Sequence, residues 1–421
     1  MSKIGYACLV VGVPDTKMKT IRKKNASFER LSELIQHNLM SMEKMLDYNI
    51  ENGIQMYRIS SDIIPFGSDK DTNHIDFENI FQEEFRRLSE KINQNNIRVS
   101  MHPGQYTVLN SPHEEVVTRA IADLEYHTKL LDALKVDKSH KIILHVGGVY
   151  GDKSAAKKRF INQYKKLSPA IKERLIIEND DRLYTALDVL EISEETGAPM
   201  VYDNLHNACN PSDPEKTDTE WIIHAKETWA EADGPMKIHY SQQRENARLG
   251  AHTKTIYIKK FMEFYEKIAP LDVDIMLEVK DKNLSAVKVN LATTGYQNIK
   301  TLEKEWGRYK YLVLNHSPKH YQAIRSLLKD KTTYPVIAFY SLVEEALDIT
   351  PNKNVELNAL EHVWGHLKKK VTDKERTKFQ KMKEQWLDDD ITISRLKNML
   401  KRLAIKYNDR YLRQSLYFEL D

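Results

Sequence analysis

The stretch RLIIEND, residues 174–180, is a short apolar run that ends in charged and polar residues. Short apolar runs bounded by polar residues are typical of buried β-strands. Seven further stretches are also short and mainly apolar: IGYACLVV (4–11), MYRISSD (56–62), IRVSMHPGQ (97–105), KIILHVGG (141–148), MVYDNLH (200–206), MKIHYSQ (236–242) and DIMLEVKD (274–281). The pattern therefore predicts eight strands.

Helical patterns occupy the intervals between these strands. They cover 29–47, 77–94, 113–135, 154–171, 184–195, 217–230 and 254–268. Strands that alternate with helices pair in parallel through crossover connections. Eight such units within roughly 290 residues predict a TIM (β/α)8 barrel. A doubly wound open sheet is the alternative, but no Gly-rich dinucleotide fingerprint follows the first strand, so no nucleotide cofactor is expected.

The character of the chain changes near residue 295. The segment ATTGYQNIK (292–300) is typical of a linker, and the remaining sequence has helical patterns with little strand character. We therefore expect two domains, a barrel over 1–295 and an all-α domain over 301–421.

The composition sets limits on partners and location. Of the 421 residues, 41% are hydrophobic and 30% are charged, which is typical of a soluble globular protein. The net charge is only +3, so a nucleic-acid surface must be a local patch. The sequence shows neither a signal peptide nor an apolar run of membrane-spanning length, and its two cysteines, Cys8 and Cys209, do not form a disulfide framework. We expect a cytoplasmic protein without a membrane partner.

Metal-binding side chains follow six of the eight predicted strands. Active-site residues of a TIM barrel lie at the carboxyl ends of the strands, where these side chains converge. Imidazole and carboxylate groups are ligands of Zn²⁺, Mn²⁺ and Fe²⁺. The candidates at the strand ends are His102, His145, Glu178, Asp203, His206, His239 and Glu278, and His252 follows in the loop after the seventh strand. A single such residue is commonly structural, but the joint pattern predicts a metal site. A carboxylate such as Glu178 can bridge two ions, which is the arrangement used in phosphate-ester cleavage.

Lys237 stands two residues before His239 in the seventh strand, so both side chains point to the same face. A protonated lysine at this position would repel a bound cation. Burial near positive charge lowers the pKa of a lysine, which allows a neutral amine at this position.

The segment HPGQY (102–106) forces a tight turn at the end of the third strand. One interpretation is an ordinary loop. The other is a probe that inserts into DNA, in which Gln105 bonds to base edges and Tyr106 stacks on bases. Tyr6, in the first strand, is a second candidate for stacking, although a strand aromatic is more often part of the core.

Taken together, these motifs resemble the UV damage endonuclease family. The matching segments are GYAC (5–8), SSDIIPFGS (60–68), SMHPGQYTVLNSP (100–112), LHVGGVYGDK (144–153), IEND (177–180), YDNLHN (202–207), KIHYS (237–241) and DIMLEVKDK (274–282). The resemblance implies a barrel similar to endonuclease IV with three metal ions, often Mn²⁺, although Zn²⁺ or Mg²⁺ use similar ligands. It also implies that double-stranded DNA is nicked 5′ to a cyclobutane pyrimidine dimer or a 6-4 photoproduct, which initiates excision repair.

The resemblance assigns a role to each matching residue. His102, His145 and Glu178 would hold one ion. Glu178, Asp203 and Glu278 would hold the second, and His206 and His239 the third. Glu178, Lys237 and His252 would serve catalysis, with His252 near the scissile phosphate and Lys237 carboxylated. Gln105, Tyr106 and Tyr6 would contact the lesion.

One position departs from the family. The histidine that usually ends the SSxxxPxxSH stretch is replaced by Asp69. His74 lies close by and is a candidate substitute, so the role of both residues stays open.

The C-terminal region is similar to the YbgA-like helical domain, on the segments WGRYKYLVLNHSPKHYQAI (306–324), NALEHVWGHLKKKV (358–371) and YLRQSLYF (411–418). Two other functions stay open: a sugar isomerase or epimerase on the same type of barrel, and a DNA-binding adaptor that acts through the helical domain. A sugar enzyme has no use for a protruding Gln-Tyr pair, and an adaptor has no need of a metal.

Overall fold

Eight parallel strands form the first part of the chain, as the sequence predicts. The computed structural model describes residues 2–295 and 297–420. The strands are β1 Ile4–Ala7, β2 Met56–Ile59, β3 Arg98–Met101, β4 Ile142–His145, β5 Leu175–Glu178, β6 Met200–Val201, β7 Lys237–Tyr240 and β8 Asp274–Leu277. Each lies inside one of the eight predicted stretches.

The strands close into a barrel. Their order is β6-β5-β4-β3-β2-β1-β8-β7, and every pair is parallel. The two end strands meet where the His239 amide donates a hydrogen bond to the Tyr202 carbonyl at 2.9 Å. A parallel bridge between Asp203 and His239 continues this contact. The arrangement confirms the predicted TIM barrel and places two candidate ligands at the seam.

Helices lie between consecutive strands, and one further helix follows β8. They are α1 Phe28–Glu51, α2 Phe77–Ile80, α3 Gln82–Gln94, α4 Glu114–Ala133, α5 Lys153–Lys166, α6 Pro169–Lys172, α7 Ala186–Thr196, α8 Asn204–Cys209, α9 Asp218–Glu227, α10 Ile258–Ile268 and α11 Asn283–Thr293. The helix predicted over 154–171 is two helices, because Ser168 precedes Pro169 and has an extended backbone, with ψ near 151°.

The barrel interior is apolar in its middle and charged at the amino ends of its strands. Ile143, Ile176 and Val201 form one buried cluster. Arg98 and Asp274 begin their strands, and Nη1 of Arg98 lies 2.9 Å from Oδ2 of Asp274. Gly5 has no room for a side chain, since a Cβ atom would lie 2.3 Å from the Met56 carbonyl oxygen. This packed interior is a rigid base for the side chains at the carboxyl ends.

The chain divides into two compact units. The first comprises residues 2–256 and 261–290, and the second 257–260 and 291–420, within the described part. The second unit is helical: α12 Ile299–His316, α13 Pro318–Leu327, α14 Val336–Leu347, α15 Lys353–Leu367, α16 Asp373–Leu387, α17 Ile393–Lys406 and α18 Arg410–Arg413. Its core includes the stacked rings of Trp364 and Phe379, whose centroids are 4.0 Å apart.

The predicted linker is shorter than 292–300. Residues 292–293 belong to α11 and residues 299–300 to α12, and Tyr296 lies outside the described residues. No helix in the described part of the chain is long and apolar enough to cross a membrane.

Candidate active site

Glu178 stands at the centre of the candidate site. It is the last residue of β5 and only 1% exposed. Its Oε2 lies 3.0 Å from Nε2 of His102, and its Oε1 lies 2.7 Å from Nδ1 of His239. The imidazoles of His145 and His206 each approach a carboxylate oxygen to 3.6 Å. Four imidazoles from four strand ends thus surround one carboxylate.

The electrostatics of this cluster favour the metal-binding forms of Glu178 and His102. Burial alone raises the pKa of Glu178, but the imidazoles of His239, His145 and His102 hold it well below its usual range. Burial lowers the pKa of His102 to about 4. An ionised carboxylate and a neutral imidazole are the states in which these groups ligate a cation.

Two groups of ligand atoms share Glu178. His102, His145 and Glu178 form one, and Glu178, Asp203 and His239 form the other, with the ligand atoms of each group within 4.8 Å of one another. Three buried atoms of these residues have no hydrogen-bond partner among the described residues: Nδ1 of His145, Nε2 of His239 and Oδ2 of Asp203. Unsatisfied buried polar atoms are costly, and a coordinated cation satisfies them. The donor set therefore fits divalent metal ions.

Asp203 and His206 are placed by the start of α8. Asp203 caps this helix, because its Oδ1 accepts a hydrogen bond from the His206 amide at 2.8 Å. Burial raises the pKa of Asp203 to about 6. Burial also acts to lower the pKa of His206, but Asp203, Glu178 and Glu278 together raise it to about 9. Asp203 and His206 thus share a single helical turn that directs both side chains to the cluster.

Asn179 fixes Asp203 from the neighbouring strand. Its Nδ2 donates to the Asp203 carbonyl at 3.1 Å, and its Oδ1 accepts from the Asp203 amide at 2.9 Å. The sequence prediction missed this role, although Asn179 lies within the matching segment IEND.

Glu278 is held by an arginine that the sequence prediction also missed. Its carboxylate forms an ion pair with the guanidinium of Arg58 on β2, and its Oε1 lies 3.5 Å from Nδ1 of His239. Burial raises the pKa of Glu278, but Arg58 and His239 hold it well below its usual range. The only sign of Arg58 in the sequence is a charge in the strand stretch MYRISSD.

Lys237 is buried in the barrel beneath this cluster. It begins β7 and pairs in register with Asp274. Burial lowers its pKa well below the usual range, the charges of Arg98 and Arg58 act in the same direction, and Asp274 and Glu178 oppose them.

His252 is half-buried, and its backbone pairs with that of Gln243 in an isolated antiparallel β-bridge. Burial lowers its pKa, and the charge of Glu278 opposes this effect.

Two predicted residues, Asp69 and His74, lie outside the two ligand groups. Asp69 is half-buried, and its Oδ2 lies 2.8 Å from Nζ of Lys23 and 2.7 Å from the Thr72 hydroxyl. His74 lines a separate cavity of about 410 Å³. Within the described residues, neither joins the two ligand groups.

The prediction that Tyr6 stacks near the lesion is wrong for this structure. Tyr6 is fully buried, and its hydroxyl donates a hydrogen bond to Oδ1 of Asn49 on α1 at 2.8 Å. The reason is strand alternation: Gly5 and Ala7 face the barrel interior, and Tyr6 faces the surrounding helices.

Gln105 and Tyr106 are exposed at the tip of the loop after β3, and Tyr106 is 70% exposed. The Tyr106 ring folds over Gly104, where a Cβ atom would lie 2.4 Å from its Cε1. A cavity of about 650 Å³ adjoins the loop. Its lining includes Gln105, His145, Tyr150, Leu183, His206 and Arg248.

Comparison with known proteins places this site in a family. The family model described as UV-endonuclease UvdE matches residues 3–310. This chain belongs to the UvdE family. A UV DNA damage endonuclease from Clostridium perfringens (strain 13 / Type A) is 40% identical over 385 residues, which cover 90% of this chain and 92% of that protein.

Other UvdE relatives agree. A UV DNA damage endonuclease from Bacillus cereus (strain B4264) is 33% identical over 290 residues, which cover 68% of this chain and 90% of that protein. The crystal structure of SacUVDE is 35% identical with a TM-score of 0.65, and the match covers 72% of this chain and all of that one. The predicted resemblance and the expectation of an endonuclease are thus confirmed, and the sugar isomerase alternative loses its basis.

The helical region has its own match. Residues 310–420 match a family described as a protein of unknown function, DUF1722. This confirms the YbgA-like resemblance.

Proposed function

We propose that this protein is a metal-dependent DNA repair endonuclease. It nicks one strand immediately 5′ to UV photoproducts, both cyclobutane pyrimidine dimers and 6-4 photoproducts, and so initiates excision repair. The observation that carries the proposal is the ionised Glu178 among four imidazoles at the carboxyl ends of a UvdE-family barrel.

The two ligand groups would each hold a divalent ion, with Glu178 as the bridge. His206 and Glu278 lie at the edge of these groups and would complete the coordination, including that of a third ion. Mn²⁺ is the expected metal, and Zn²⁺ and Mg²⁺ can use members of the same ligand set. Ions bound here would activate water and neutralise the charge of the scissile phosphate.

Neighbouring residues hold the ligands in place before substrate binds. Asn179 fixes the backbone of Asp203 through two hydrogen bonds, and Arg58 holds the carboxylate of Glu278. His252, half-buried in the loop after β7, would bond to a phosphate oxygen. Such support keeps reacting groups within the narrow tolerances that catalysis requires.

Lys237 is proposed to be carboxylated. Its Nζ would form a bond to the carbon of CO₂ and release one proton, which yields a carbamate. Its burial among Arg58 and Arg98 supports this assignment, because these cations disfavour an ammonium and favour an anion. A crystal structure tests it: electron density that ends at Nζ contradicts carboxylation.

The loops above the site are suited to inserting into DNA. Loops after five strands expose large apolar side chains: Leu9, Tyr106, Tyr150, Leu183 and Leu249. A photoproduct weakens local stacking, which lowers the few kcal/mol needed to extrude its bases. Gln105 and Tyr106 would fill the gap in the duplex, and the adjoining cavity would receive the joined bases.

A nicking assay with metal add-back tests the proposal. The protein is treated with chelator and incubated with UV-irradiated supercoiled plasmid, with and without Mn²⁺. We expect relaxed circles only when the plasmid is irradiated and Mn²⁺ is present. Equal nicking of unirradiated plasmid would exclude lesion specificity, and nicking that resists chelation would exclude metal dependence.

A further inference from the structure

The helical unit carries an excess of positive charge. Residues 297–421 contain 24 Lys and Arg but only 17 Asp and Glu, whereas the whole chain has a net charge of just +3. Basic charge concentrated in one part of a chain marks a surface for polyanions.

Four helices contribute to one aromatic and basic surface, which we call the Tyr411 face. Its members are Lys310, Tyr311, Tyr321, Arg325, His366 and Tyr411, from α12, α13, α15 and α18. The imidazole of His366 stacks on the Tyr411 ring, with centroids 5.4 Å apart and planes 5° from parallel. The Tyr311 ring stands edge-on to both, and its hydroxyl oxygen lies 2.7 Å from Nε2 of His366. These contacts fix the Tyr411 ring, yet the residue is 36% exposed.

The cations of the Tyr411 face contact rings rather than carboxylates. Nζ of Lys310 lies 5.1 Å from the centroid of Tyr311 and 6.0 Å from that of Tyr411. The guanidinium of Arg325 lies 5.7 Å from the centroid of Tyr321. Asp409, the carboxylate whose charge acts on His366, is already bound by Lys370 at 2.7 Å.

Five lysines of the unit differ from Lys310 in this respect. Within the described residues, Lys310 and Arg325 form no ion pair. By contrast, carboxylates neutralise Lys331, Lys353, Lys383, Lys401 and Lys406. The Tyr411 face therefore keeps its charge available to a ligand, next to an exposed and rigid ring.

We propose that the Tyr411 face binds a single-stranded segment of DNA, with a base stacked on Tyr411 and phosphates held by Lys310 and Arg325. Exposed aromatic rings beside cations are the elements that bind single strands without sequence preference. Among polyanions we choose DNA because the barrel belongs to a DNA endonuclease family. The inference rests on the proposed function in one respect, the choice of DNA as the ligand. Binding at the Tyr411 face requires neither the metal nor the lesion.

Binding of an undamaged oligothymidylate to the full chain tests the proposal. Fluorescence anisotropy in the presence of chelator compares the wild type with Tyr411→Ala, Tyr411→Phe and Lys310→Ala. We expect Tyr411→Ala to raise Kd about tenfold and Tyr411→Phe to retain binding. Lys310→Ala should raise Kd and reduce the slope of log Kd against log salt by about 0.7. Lys378→Ala and Lys381→Ala, which remove exposed lysines of α16, are matched controls with little expected effect.

Several results would overturn the inference. They are an unchanged Kd in Tyr411→Ala, an effect of Lys378→Ala as large as that of Lys310→Ala, and tighter binding of an RNA strand of equivalent sequence. If Tyr411→Ala fails to fold, the comparison of Lys310→Ala with the α16 controls decides. Nicking of irradiated plasmid by the same variants separates this inference from the proposed endonuclease function. If the variants still nick the plasmid and their Kd for the single strand is unchanged, only the inference about the Tyr411 face is refuted.

Discussion

The ion pair between Arg58 and Glu278 gives the sharpest prediction about the barrel. The two side chains are 8% and 16% exposed, and Glu278 shares the site with the ionised Glu178. In the metal-free protein, Arg58→Met leaves the Glu278 carboxylate without its counter-charge. Removing one partner of a buried pair costs about 3–5 kcal/mol. We take about 3 kcal/mol here, because Glu278 keeps some contact with solvent.

Differential scanning calorimetry of the chelator-treated protein measures this loss. A domain of this size loses about 2 °C of Tm per kcal/mol, so we expect the barrel transition to fall by about 6 °C. The double variant Arg58→Met/Glu278→Gln removes both charges and should recover most of the loss. Added Mn²⁺ should raise the Tm of Arg58→Met more than that of the wild type, since a cation then replaces the guanidinium beside Glu278.

A surface arginine provides the matched control. Arg86 pairs with Glu83 and Glu90, but it is half exposed. Solvent screens such pairs, so Arg86→Met should lower the Tm far less than Arg58→Met does. The reasoning is refuted if the two single variants lose equal stability, or if the double variant is no more stable than Arg58→Met.

Three further predictions concern the site and its loops. Glu178→Gln should abolish nicking, because it removes the charge that bridges the ions. It should retain binding to irradiated duplex in an electrophoretic shift assay, because the loops stay intact. Retained nicking would contradict the bridging role of Glu178. Changing both Gln105 and Tyr106 to Ala should reduce the preference for irradiated over undamaged duplex at least tenfold while leaving Tm unchanged, since both are exposed. Asp69→Ala should leave the bound metal content unchanged in mass spectrometry, because the carboxylate bonds to Lys23; a lost ion would show that Asp69 is a ligand.

The strand-end pattern predicted the barrel well because a buried parallel strand is a short apolar run with a defined end. The same logic placed His102, His145 and Glu178 at one edge, where the structure brings them together. Helix lengths were less predictable: the pattern over 154–171 is continuous in hydrophobicity, yet the backbone restriction before Pro169 ends α5 early.

Side-chain contacts between residues that are far apart in the chain could not be predicted from the sequence. Arg58 and Glu278 are 220 residues apart, and only the closed barrel brings them into contact. The bond between Lys23 and Asp69 is likewise set by the fold rather than by local spacing. Tyr6 is a different case, because alternation with Gly5 and Ala7 already indicated that its ring faces the helices.

A duplex with a single defined thymine dimer tests directly whether the protein makes a metal-dependent cut immediately 5′ to a photoproduct. The duplex is labelled at the 5′ end of the damaged strand and incubated with Mn²⁺-loaded wild type, with Glu178→Gln as the inactive control. We predict one labelled product that ends in a 3′-hydroxyl at the nucleotide next to the dimer, and none from the variant. A product of another length, an equal product from an undamaged duplex, or an active Glu178→Gln variant would contradict the account.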